Sequence, residues 1–61
     1  MKHALEITER DLRKAMVVAN GEELKVLKEA LEYNRTSPQW QWASDIYNRL
    51  AAKYDLYKFD D

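Results

Sequence analysis

Apolar residues recur along this chain in three stretches, each with the step of a helix that buries one side. Leu12, Ala15, Met16 and Ala19 follow the i, i+3, i+4, i+7 spacing, and Val17 and Val18 widen their arc. Leu24, Leu27 and Leu31 form a second line with Val26, Ala30 and Tyr33 beside it. At roughly 100° per residue, Ala43, Ile46, Tyr47, Leu50 and Tyr54 share one arc of a third helix. Ser44, Asp45, Asn48, Arg49 and Ala52 are expected on its other, polar side. The pattern predicts an all-α fold, a small three-helix bundle with helices at about 8–20, 22–35 and 38–54 and a short aromatic C-terminal tail. An open helical hairpin that dimerises is the alternative architecture.

Boundary residues support these limits. Thr8 is placed to accept from the Asp11 amide as an N-cap, and Ile7 and Leu12 are placed as a hydrophobic staple around it. Gly21 is expected to end the first helix in a left-handed C-cap, since it has no Cβ to clash. Glu22 and Glu23 suit the positive end of the second helix. That helix should stop near Arg35, because Ser37 precedes Pro38 and is pushed out of the helical region. Ser37 then caps the third helix, with Pro38 at its first position.

The two tryptophans stand two positions apart at this helix start. Trp40 lies roughly 60° to one side of the third helix's apolar arc and Trp42 roughly 100° to the other. Trp40 is therefore expected to fold inward and Trp42 to lie near the polar edge, on the flank of Ile46, Arg49 and Lys53. There Trp42 either lies flat over the turn before the third helix or anchors a protein interface.

Composition narrows the picture. The 61 residues, 1–61, make a single helical domain. A monomer of this size buries only about 60 % of its unfolded surface, so its stability is marginal. Cysteine is absent, which removes disulfides and thiolate metal sites. Ten Lys and Arg against eleven Asp and Glu are evenly spread, so the clustered cations of a nucleic-acid footprint or a membrane-surface helix are missing. The longest apolar run, Ala15 to Ala19, is far shorter than a bilayer span or a signal-peptide core. A cytoplasmic location and no membrane partner are expected. Without secretion, the glycosylation-like triplet Asn34-Arg35-Thr36 is read as chance.

Candidate chemistry is sparse. His3 is the only histidine, and near the terminus it has no evident orienting partner. Ser37 is accounted for by capping and Ser44 by exposure to solvent. One glycine cannot build a phosphate loop, and the carboxylates lack calcium-loop spacing. No catalytic, cofactor or metal residue is assigned, and no enzyme activity or small-molecule substrate is expected.

What remains is a surplus of rings. Tyr33, Trp40, Trp42, Tyr47, Tyr54, Tyr57 and Phe59 exceed what three short helices easily cover. The reading is a small protein–protein interaction module: an adaptor, inhibitor or modulator of a larger macromolecule. Trp42, Trp40, Arg49, Tyr57 and Phe59 are its partner-binding residues, since Trp, Tyr and Arg are enriched among hot spots. The tail from Tyr54 is read first as a last helical turn or extended segment docking back on the bundle, and otherwise as offering Leu56, Tyr57 and Phe59 to the partner. In size and composition, though by no motif, the chain resembles accessory proteins that bacteriophages and mobile elements encode. The alternative is a structural homodimer or larger oligomer packed through the aromatic face. A helix-turn-helix-like DNA binder is the third reading, with Gln39, Gln41, Ser44, Asn48 and Arg49 offered to base edges against an unfavourable Asp45.

Overall fold

The computed structural model describes residues 1–59, the side chain of Phe59 excepted. Three α-helices form the bundle: α1 (Glu9–Val18), α2 (Gly21–Ala30) and α3 (Pro38–Tyr54). Short 3-10 turns precede and follow them, at Ala4–Glu6 and Leu56–Phe59. The described residues contain no strand, in agreement with the all-α expectation.

Local chemistry explains each helix start. Thr8 Oγ1 accepts from the Asp11 amide at 3.2 Å, and Asp11 Oδ2 accepts from the Thr8 amide at 3.1 Å. This reciprocal box satisfies two otherwise orphaned donors. Asn20 and Glu23 form a second box, both bonds at 2.9 Å. Ser37 Oγ accepts from Trp40 N at 3.4 Å, and Pro38 opens α3.

Two boundaries differ from the sequence expectation. Gly21 is not a left-handed C-cap; it is the first residue of α2, and its φ is not positive. The chain leaves α1 through extended Ala19 and Asn20, and the Asn20–Glu23 box starts the next helix at once. The second helix ends at Ala30 rather than near Arg35. Glu32 N bonds Glu29 O and Tyr33 N bonds Ala30 O, both at 3.0 Å, in a tightening last turn. Beyond it, Asn34 Oδ1 accepts from the Thr36 amide at 3.0 Å, a side-chain turn that competes with helix. Arg35 is drawn away to the N-terminal segment, where its guanidinium donates to Leu5 O and, at 2.9 Å, to Ile7 O.

α3 carries the core. Trp40, Ala43, Tyr47, Leu50 and Ala51 bury against Leu12 and Ala15 of α1 and Leu27 and Ala30 of α2. Four of these are alanines at 0 % exposure, and their small side chains let the helices approach closely. Ile7, just before α1, and Leu56, just after α3, are buried in the same core. Asp55 takes the left-handed conformation (φ 56°, ψ 46°), ends α3 and turns Leu56 inward. Aspartate tolerates that conformation better than most residues. The molecule measures 26 × 24 × 15 Å along its principal axes.

Candidate protein-binding surface

Two rows of side chains run along α3, and each begins with a tryptophan. The inward row is Trp40, Ser44 and Asn48, at steps of four residues. Trp40 is 2 % exposed, its Nε1 donates to Tyr33 O at 2.9 Å, and the Arg35 guanidinium lies 5.8 Å from its ring centroid. Ser44 Oγ donates to Trp40 O at 2.6 Å.

Asn48 ends the row as the hub of a polar latch. Its Oδ1 accepts from the Lys2 amide at 2.9 Å and its Nδ2 donates to Lys2 O at 2.8 Å. A side-chain amide here pairs with a backbone as another strand would, using both donor and acceptor. Tyr57 OH also donates to Asn48 Oδ1, at 2.9 Å, so one residue ties both terminal segments to α3. Lys2 Nζ meets the buried Asp11 carboxylate at 3.1 Å, and Lys14 Nζ approaches the same carboxylate at 3.9 Å.

Several expectations are corrected by this latch. Ser44 and Asn48, placed on the polar side of the third helix, are buried because the N-terminal segment covers them. His3 does have a local role: its Nδ1 accepts from Leu5 N at 3.2 Å and caps the first 3-10 turn. The base-reading set of the DNA-binding alternative loses Ser44 and Asn48 to the interior, and residues 31–37 make the α2–α3 connection longer than a helix-turn-helix turn. Tyr54, expected inward, remains 44 % exposed beside the end of α3.

The outward row is Trp42, Ile46, Arg49 and Lys53. Trp42 is 56 % exposed, Ile46 is half-buried against the core, and Arg49 and Lys53 are exposed. Lys53 Nζ lies 5.3 Å from the Tyr54 ring centroid, a weak cation–π contact at an exposed site. Covering the free part of Trp42 would remove on the order of 100 Å² of mostly apolar surface from water, about 3 kcal/mol.

The five residues expected to contact a partner therefore separate. Trp42 and Arg49 lie together on the exposed row. Trp40 is enclosed and offers no contact surface, because its indole closes the turn after α2. Tyr57 is half-buried, hydrogen-bonded to Asn48 and edge-on to Tyr47 at 6.0 Å. The tail thus docks back on the bundle as far as Tyr57, while the Phe59 side chain lies outside the described residues. Ile46 and Lys53 extend the exposed row, and the steps of four, three and four residues along it, from Trp42 through Arg49, were the signal for including them.

A shallow groove of about 570 Å³ separates the N-terminal segment from α3, lined by His3, Glu6, Gln41, Asp45 and Asn48 among others. Among the described residues, no cluster of three metal-ligating side chains occurs. No described helix is long and apolar enough to cross a membrane. Comparison with protein-family models, with curated proteins and with solved structures finds no match to this chain.

Proposed function

We propose that this chain is a protein–protein interaction module that engages a larger macromolecule through the Trp42 row of α3. One observation carries the reading. Two residues after a fully enclosed tryptophan, a second sits more than half exposed on a regular helix, with Arg49 in the same row. A rigid helix presents such a side chain at little entropic cost, and Trp and Arg are the residue types that dominate interface energetics.

The test is affinity capture with the intact chain and its Trp42→Ala variant, followed by direct binding to whatever is captured. Capture is expected to disappear in the variant while its helical circular dichroism and melting temperature stay close to the parent's. Undiminished capture by Trp42→Ala counts decisively against this reading.

A further inference from the structure

Trp42, Ile46, Arg49 and Lys53 follow one another at four, three and four residues, the spacing of a seam between two helices. The open flank beside them, Gln41, Asp45 and Ala52, is exposed throughout. Along this seam the apolar residues come first and the cations second. Read backwards, the order inverts, so the face is complementary to its own reversed copy.

We propose that two copies of this chain pair through antiparallel α3 helices, about a twofold axis passing between Tyr47 and Asn48. That axis sets Trp42 opposite the second copy's Lys53 and Ile46 opposite its Arg49. On the open flank it brings Asp45 level with the second copy's Arg49, and symmetry repeats each contact. Lysine over an indole is a cation–π pair, and the aliphatic stem of arginine covers isoleucine while its head reaches the carboxylate. The inference rests on reading the Trp42 row as a recognition surface and names its occupant: a second copy, which any other partner has to displace.

Charge favours self-pairing over a partner of one sign. An acidic helix would answer Arg49 and Lys53 but oppose Asp45, and a basic helix would do the reverse. In the reversed copy Asp45 and Arg49 answer one another twice, and Lys53 is answered by the Trp42 ring. A net charge of −1 sets almost no repulsion between copies.

Area sets the strength. A standard interface takes about 800 Å² from each partner, and the whole molecule exposes 4190 Å². A single helix seam supplies only part of that, so the dimer is weak, with a midpoint on the order of 100 μM.

Sedimentation of the intact chain from about 10 μM to about 1 mM tests this, spanning that midpoint. The mass should rise from 7.3 kDa towards that of a pair. Trp42→Ala should weaken association about tenfold or more, as expected of a hot spot. Asp45→Arg and Arg49→Asp should each associate poorly alone, yet pair with one another when mixed, because each then supplies what the other lacks. Circular dichroism confirms that each variant is folded. A monomer at the highest concentration, association indifferent to Trp42→Ala, or a mixture that stays monomeric would each overturn the proposal. A strict monomer that still captures a partner through Trp42 removes the dimer and leaves the proposed function standing. A dimer as described whose capture ignores Trp42 does the opposite.

Discussion

The two rows of α3 invert what residue type suggests. Ser44 and Asn48 are buried, whereas Trp42 on the opposite flank keeps more than half of its surface in water. The inward row is covered by terminal segments: Lys2 and Tyr57 both reach Asn48, and every polar atom of its amide group has a partner. Among the described residues, no equivalent segment crosses the outward row. Burial on this helix is decided by which chain segment arrives to cover a face. Hydropathy decides only what a covered polar group must find there, since leaving it unpaired costs about 1–3 kcal/mol.

Truncating the tryptophan at the head of each row should affect the two faces very differently. Trp40→Ala removes a large enclosed ring and the bond to Tyr33 O, and is expected to cost about 3–5 kcal/mol. A domain this small has little more than that in total. Its thermal melt should lose cooperativity, and a variant that melts like the parent would refute the assignment of Trp40 to the core.

Asn48→Asp is expected to come next, at about 2–3 kcal/mol. It places a carboxylate oxygen where Nδ2 now donates to Lys2 O, turning one bond of the latch into a repulsion. Urea titration should show the loss, and proton exchange at the Lys2 amide should quicken along with it. A neutral outcome would mean that the N-terminal segment does not hold the inward row.

Gly21→Ala is expected to act in the other direction. The position opens α2 with ordinary φ, and an added Cβ meets nothing within 4 Å. Restricting the unfolded chain should stabilise by about 0.4–1 kcal/mol. Destabilisation in urea would instead indicate the left-handed cap that the sequence suggested. Trp42→Ala should change stability least, by under about 0.5 kcal/mol, since so much of the ring is already solvated. A large drop in its melting temperature would show that the outward row is structural after all.

Much of the architecture was legible because its signals act over four residues or fewer. The Thr8 cap and the Ser37–Pro38 start stand where the sequence placed them, each closed within three residues. The Asn20–Glu23 box was equally local, and its Asn-x-x-Glu spacing was the available clue that Gly21 belongs to the second helix. Of the candidate surface, the outward position of Trp42 and its company with Arg49 followed from helical angles alone.

The rest depended on residues far apart in the chain. Arg35 crosses 28 positions to Ile7, and in doing so takes residues after Ala30 out of α2. Lys2 crosses 46 to Asn48, and so helps to enclose Ser44 and Asn48, which helical periodicity assigns to solvent. Periodicity reports which residues share a side of a helix, because that is fixed by backbone geometry. Which side the remaining chain covers is fixed by tertiary packing, and so only the folded structure separated the satisfied interior row from the one left open.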